Sequence, residues 1–168
     1  EALHISLAKK VRIIPAMPAQ PFSIRLCNWD QARVDARRIR ELVFVREQGV
    51  PLALEMDEQD AHCDHALAYA EDGMAVATGR LLPDGHIGRM AVLKAWRGRG
   101  VGARVLQALM EQARRRGHAS VRLNAQVHVI GFYRRYGFEI AGTEFIEAGI
   151  PHVAMRRDLS AGADGSTG

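Results

Sequence analysis

From residue 21 the chain alternates apolar and polar side chains. Phe22, Ile24 and Leu26 are set against Ser23 and Arg25, and this period of two predicts a half-buried strand over 21–27. The period then lengthens. Val34, Ile39, Leu42 and Val43 recur at helical spacing behind Asp30, which can cap a helix, so one is predicted to run to about Glu47. Gly49-Val50-Pro51 stops it, and an acidic loop follows from Glu55 to Asp60. Two further runs, His65 to Ala70 and Met74 to Leu82, are joined by Glu71-Asp72-Gly73 and read as a hairpin. Pro83-Asp84-Gly85 is a turn: Pro presets φ, Asp bonds locally and Gly accepts positive φ. It leads into a strand from about His86 to Leu93.

The clearest helix begins at Val101. Val101, Val105, Leu109 and Ala113 fall four apart with Leu106 and Met110 beside them, while Arg104, Gln107, Glu111, Arg114 and Arg115 take the wet side. Gly117 ends it. A strand over 120–125, a helix over about 127–136 closed by Gly137, and strands over about 138–147 and 152–157 turning at Ala148-Gly149 complete the chain. The order β-α-β-β-β-α-β-α-β-β is a mixed α/β (α+β) arrangement. Its central antiparallel meander argues against a doubly wound nucleotide fold. One domain is expected over 21–159, preceded by an N-terminal extension (1–20) and followed by a disordered Gly/Ala/Ser-rich tail (160–168).

Composition narrows the function classes. In 168 residues no apolar run approaches the roughly 20 that a membrane helix needs, so no membrane partner is expected. The net charge of +4 is carried by arginine, since only Lys9, Lys10 and Lys94 are lysines. That suits phosphate-bearing ligands and nucleic acid alike. A recognition-helix pattern or an aromatic-interleaved basic patch is missing, so nucleic acid is not expected as a partner. Cys27 and Cys63 are too few for a disulfide scaffold and suit a cytoplasmic protein. His62-Cys63-Asp64-His65 has no second cluster to complete a zinc site, and no metal is expected.

The chemistry concentrates at Arg97-Gly98-Arg99-Gly100-Val101-Gly102, between a strand and the amphipathic helix. The first turn of a helix leaves N–H groups unpaired at the positive end of its dipole, and glycines let a pyrophosphate reach them. The spacing is neither a Walker loop nor a GxGxxG fingerprint. A plain glycine-rich turn with solvated arginines is the alternative.

These residues resemble a known family. Arg97, Gly100 and Gly102 meet the R/Q-x-x-G-x-G/A pattern of the acyl-CoA loop of the GNAT N-acyltransferase superfamily, and Tyr133-Arg134-Arg135-Tyr136-Gly137-Phe138 resembles its Y-x-x-x-G-F element. Val43-Phe44-Val45-Arg46-Glu47-Gln48, Gly88-Arg89-Met90-Ala91-Val92, Ala125-Gln126 and Glu147-Ala148-Gly149-Ile150-Pro151-His152 are similar to the ElaA/YjcF-type branch. The resemblance spans residues 22–158. It implies a mixed, mostly antiparallel sheet of six to seven strands with about four helices and a V-shaped splay between the fourth and fifth strands.

It also implies an acyl-CoA-dependent N-acetyltransferase: acetyl-CoA as co-substrate, an amine acceptor, direct attack through a tetrahedral intermediate, and a homodimer formed through the last strands. Met90, Ala91, Val92, Arg97, Gly98, Arg99, Gly100, Val101, Gly102, Gln126 and Tyr133 would bind acetyl-CoA, an N–H near Met90 and Val92 stabilising the oxyanion. Tyr133 matches the position that protonates the departing sulfur, whereas Tyr136 is read as packing. Gln126 stands where many members have Asn. The run Arg114–Arg116 would meet the 3′-phosphate or simply be a solvated helix end.

Catalytic candidates on the acceptor side are Glu55, Asp57 and His152. Glu55, Asp57 and Asp60 would bind a cationic substrate, or one of them or Glu47 would act as base through water. Alternatively they pair with Arg80 or Arg46 and order the loop. Val43-Phe44-Val45, the Glu55-x-Asp57-x-x-Asp60 run and Gly79-Arg80-Leu81-Leu82 also resemble acyl-homoserine lactone synthases, which lack a well-formed Arg-x-x-Gly-x-Gly loop. A CoA-binding module without turnover is a further class, against which Tyr133 speaks. Polyamine, amino acid, aminoglycoside and protein amine are all open as acceptors.

Overall fold

A computed structural model describes residues 21–159, so the expected N-terminal extension (1–20) and C-terminal tail (160–168) lie outside the described residues. Strand β1 (Phe22–Cys27) pairs antiparallel with β2 (Asp64–Ala70), which places Cys27 opposite His65. Strand β3 (Ala75–Leu81) follows, and β4 (Ile87–Val92) completes a first sheet in the order β1-β2-β3-β4. Every residue of β3 is buried because helices cover both faces. On one face lies α1 (Trp29–Arg40), packed through Ala32, Ala36 and Ile39 against Leu67, Ala75 and Ala91. On the other lies α3 (Val101–Arg115), whose Val101, Val105, Leu106 and Leu109 meet Ala66, Ala68 and Ala77.

The second sheet is built on β8 (Ile150–Asp158). It pairs antiparallel with β5 (Ser120–Gln126), β6 (Glu139–Ile140) and β7 (Phe145–Glu147). The single strand expected over 138–147 is thus two short ones, and the register on β8 changes between them; this raises the count among the described residues from the expected six or seven to eight. Two short helices, α2 (Leu52–Glu55) and α4 (Ile130–Arg135), join the two long ones.

Two details of α1 correct the sequence expectation. Its cap is Asn28, not Asp30: Asn28 Oδ1 accepts from the Gln31 N–H at 3.0 Å, and Gln31 Oε1 accepts from the Asn28 N–H at 3.1 Å. Val34 is 74% exposed instead of facing the core. Beyond Arg40 the helix widens to π geometry over Glu41–Glu47, and Gln48 N–H reaches back to the Val43 carbonyl at 3.1 Å. Such widened turns shift the register of every later side chain and often mark functional sites. Gly49, at φ 72, ends the turn.

The two sheets meet at one place. His86 and Arg122 form a parallel bridge, and beyond it β4 and β5 share no ladder among the described residues. The strands therefore part into the splay expected between the fourth and fifth strands. Strand β4 also bulges: Thr78 faces Ala91 and Arg80 faces Gly88, so Gly79 lies opposite both Arg89 and Met90. Arg89 takes φ 50, a left-handed conformation costing roughly 1–2 kcal/mol for a residue with a Cβ. A Cβ on Gly79 would lie 2.6 Å from Met90 Sδ, 2.8 Å from Leu109 Cδ1 and 3.0 Å from Val105 Cγ1. Gly79→Ala should therefore push on the bulge from behind and lower stability by about 1–3 kcal/mol, read from the urea midpoint. An unchanged midpoint would mean that the bulge has slack.

Candidate active site

The gap begins as a row of backbone groups. The Leu93 N–H donates to the Val76 carbonyl on β3 at 2.9 Å, so by alternation the N–H and C=O of Val92 point the other way, into the splay. Ala91 is buried and turned toward β3, while Met90 is re-aimed by the bulge. Past Val92 a single helical turn, Lys94–Trp96, leads to Arg97 and to Gly98 and Gly100, at φ 74 and 79. Gly100 is the N-cap of α3, and no side chain caps this helix. The N–H groups of Val101, Gly102 and Ala103 thus lack intrahelical acceptors, and the space around Gly98 and Gly100 is open. A Cβ on Gly102 would lie 3.4 Å from Val92 Cγ2 and 3.8 Å from Phe132 Cζ. The glycine loop, the gap strand and α4 therefore meet at one point. Arg99 lies over the Trp96 ring, 4.9 Å from its centroid.

Tyr133 is carried to this point by α4, directly after Phe132. It is 8% exposed and packs edge-on against Phe132 and Phe138, with centroids at 5.1 and 5.8 Å. Burial pushes its phenol up to about 12, so it is a neutral donor near pH 7. Its hydroxyl bonds to none of the described residues. The ring is buried but the hydroxyl oxygen is not sealed off with it, so its proton can be offered to a ligand. Tyr136 packs against Phe132 with tilted rings whose centroids lie 5.2 Å apart, the packing role expected of it.

On the far wall, Gln126 ends β5. Its amide exchanges two hydrogen bonds with Gln48, at 2.9 and 3.2 Å. The extra methylene relative to Asn is thus used to reach the end of the π turn. His152 stands opposite Gln126 on β8 and is stacked on Phe145. Its Nδ1–H donates to the Ile150 carbonyl at 2.6 Å, and its Nε2 faces a Glu147 carboxylate oxygen at 3.8 Å.

The acidic segment is partly helical, and Glu55, Asp57 and Asp60 are all engaged by arginines. Arg40, 1% exposed, donates through Nε to Glu55 and through Nη1 and Nη2 to Asp60 at 2.8 and 3.1 Å. Arg80 grips Asp57 with both terminal nitrogens at 2.7 Å and reaches Asp60 at 2.8 Å. Arg89, on the bulge, donates to the Glu55 carbonyl at 3.2 Å and to Asp57 at 3.3 Å. Three guanidiniums thus balance three carboxylates. The Arg80 hydrogen bonds hold the Asp57 carboxyl down at about 2 against the opposing effect of burial. Burial alone would raise Asp60, but Arg40 and Arg80 outweigh it. Arg46, the other expected partner, instead faces Glu41 at 3.8 Å.

Sequence reasoning missed Arg40 and Arg89 as members of this cluster. For Arg40 a signal existed: it follows Ala32 and Ala36 at intervals of four, a charge on the apolar stripe. It also missed that Arg97 binds Glu47 in two contacts, at 2.9 and 3.0 Å, fifty positions apart. Arg116 pairs with Asp64 at 2.8 Å, at the far end of a 15-residue helix and so about 22 Å from the glycine loop. The run Arg114–Arg116 therefore does not share that loop's ligand end. Among the described residues no group of three His, Cys, Asp or Glu converges as metal ligands, and no helix is long and apolar enough to cross a membrane.

Comparison with known proteins agrees with this geometry. A family model described as an acetyltransferase (GNAT) domain matches residues 41–159. The chain is similar to the uncharacterized N-acetyltransferase YjcF of Bacillus subtilis, 40% identical over 129 residues that cover 74% of this chain and 91% of the relative. Among solved structures it is similar to an acyl-CoA N-acyltransferase from Pseudomonas aeruginosa (31% identity, TM-score 0.74, covering 82% of this chain and 99% of that one). It is also similar to Escherichia coli ElaA (28% identity, TM-score 0.73, covering 82% and 100%).

The Arg80–Asp57 pair predicts an acid dependence. Asp57 has its ordinary value near 3.9 when unfolded and about 2 when folded, so the stabilisation is full above pH ~4 and is lost as pH falls toward 2. Unfolding free energy measured between pH 5 and 2 should fall in that window, and Asp57→Asn should flatten part of the fall. An identical slope in the variant would remove Asp57 as a contributor.

Proposed function

The chain belongs to the GNAT acetyltransferase family and is an acyl-CoA-dependent N-acyltransferase, and from that premise we propose that it carries an acetyl group from acetyl-CoA to an amine by direct attack. The observation that carries this reading is the convergence of three features. They are the start of α3 without a side-chain cap among the described residues, the gap-facing backbone of Val92 and the Tyr133 hydroxyl, which sits on a buried ring and bonds to none of the described residues.

Each proposed role follows from local chemistry. The main chain from Arg97 to Gly102, with the Arg99 side chain nearby, binds the diphosphate through N–H groups at the positive end of α3. Met90 and Val92 present backbone groups to the pantetheine arm, and an N–H in this stretch stabilises charge on the thioester oxygen, an effect worth about 3–4 kcal/mol in comparable sites. Ala91 packs the strand against α1. Tyr133 gives its proton to the departing sulfur, for which a phenol held neutral by burial is suited. Gln126 fixes the end of β5 beside the acceptor.

His152 is the group proposed to take the amine's proton, since its Nδ1–H is committed to a carbonyl and its Nε2 lies 3.8 Å from a Glu147 carboxylate oxygen that would steady the imidazolium formed. Glu55 and Asp57 are proposed to act one step removed. Through Arg40, Arg80 and Arg89 they fix α2 against the bulged strand, and the engagement of both in ion pairs supports this over proton transfer. A homodimer through the last strands is supported by Ile140 and Ile146, both exposed there. The free thiols Cys27 and Cys63 support a cytoplasmic setting.

A screen of amines with acetyl-CoA, reading free thiol release, tests the activity; a protein that binds CoA but releases no thiol with any amine would be a binding module. Tyr133→Phe should lower kcat by about tenfold or more and leave the acetyl-CoA KM nearly unchanged. A wild-type rate would exclude Tyr133 from the chemistry. Gly100→Val, which forces a branched side chain into φ 79 beside the phosphate site, should weaken CoA binding by calorimetry. Undiminished affinity would place the diphosphate elsewhere.

A further inference from the structure

Glu47 and Gln48 are adjacent residues at the end of the π turn, yet they are tied to opposite walls of the splay. Glu47 is bound by Arg97 of the loop that follows β4, and Gln48 is bound by Gln126 at the end of β5. Arg97 is itself anchored at the gap, because its Nε donates to the Val92 carbonyl at 3.0 Å. The helix end therefore lies across the mouth of the gap, with one carboxylate displayed there.

That carboxylate differs from the other acids nearby. Glu55 and Asp60 are buried, and with Asp57 they are matched by three guanidiniums. Among the described residues Glu47 has a single guanidinium partner, and its side chain is 36% exposed. One nitrogen of Arg97 contacts both of its oxygens, which leaves the remaining lone pairs open to another donor. Arg97, with Nε on a carbonyl and Nη2 on Glu47, is turned toward this acid and not toward the N–H groups of α3.

We propose that the acceptor amine docks as its alkylammonium against Glu47, and that Arg97 is a positioning residue that holds this carboxylate across the gap. The inference rests on the acyl-transfer reading and deepens it by naming the substrate class: an amine that carries a positive charge at neutral pH. The diphosphate is left to the backbone of the loop, with Arg97 serving the other substrate.

A matched pair of probes tests it: benzylamine, which is protonated near pH 7, and aniline, which is not. With Glu47→Gln the benzylamine KM should rise by about tenfold or more, as for loss of a bond to a charged group, and by far more than the aniline KM. Calorimetric affinity for acetyl-CoA should stay within about twofold, as for any residue outside the cofactor site. Arg97→Gln should shift the benzylamine KM in the same direction, and the double variant should be no worse than the poorer single one. Equal losses on both amines would make the pair merely structural and overturn the proposal. So would an Arg97→Gln variant that loses acetyl-CoA affinity while its amine kinetics stay unchanged. If wild-type protein acetylates neither probe, benzylamine titrated into the CoA complex is read by the same ratios. Failure of every amine in the screen to release thiol would sink the acyl-transfer reading itself, an outcome distinct from the others.

Discussion

The site depends on a failure of two strands to pair. Strands β4 and β5 touch at His86 and Arg122 and then separate, so the inner edge of β4 keeps polar backbone groups that no neighbouring strand satisfies. Unpaired groups of that kind are costly when dry and serve well as a template for an extended ligand. Because the two strands run parallel at their bridge, the segments that leave their carboxyl ends emerge at the same end of the gap. One carries the glycine loop and the start of α3, and the other carries Tyr133. Connectivity alone brings the glycine loop and Tyr133 together.

The bulge at Arg89 and Met90 acts within the same geometry. A regular strand would direct its groups by strict alternation, whereas the extra residue turns Met90 out of step. The left-handed Arg89 is held by contacts to α2, whose own position is set by Arg40 and Arg80. Taking three ion pairs out of water is expensive, and such clusters add little net stability compared with a well-packed apolar core. Their value here is directional: the forked guanidiniums fix how a short helix sits against a strained strand.

Much of this was legible in the chain itself. Local period and turn chemistry locate β1 to β5, α3 and the glycines at 98, 100 and 102, because those features depend on neighbours in sequence. The π turn was not legible, since Glu41–Glu47 has the composition of an ordinary helix and the widening is imposed by what its end must reach. The break between β6 and β7 was hidden for a similar reason, being set by register on β8. The pairing of Arg40 with Glu55 and Asp60, and of Arg97 with Glu47, joins residues far apart along the chain, which no local pattern encodes. Val34 shows the converse, an apolar residue at helical spacing that faces water.

The six-charge cluster also constrains how this sequence can drift. It draws on α1, α2, the turn after it, β3 and β4, and its charges cancel only as a complete set. Exchange of Arg40, Glu55, Asp60 or Arg80 strands an opposite charge in a place water barely reaches. Viable divergence at these positions must then proceed by compensated steps, two at a time or more, while the exposed faces around them vary singly. The arrangement is a small ratchet: simple to keep, and hard to leave one residue at a time.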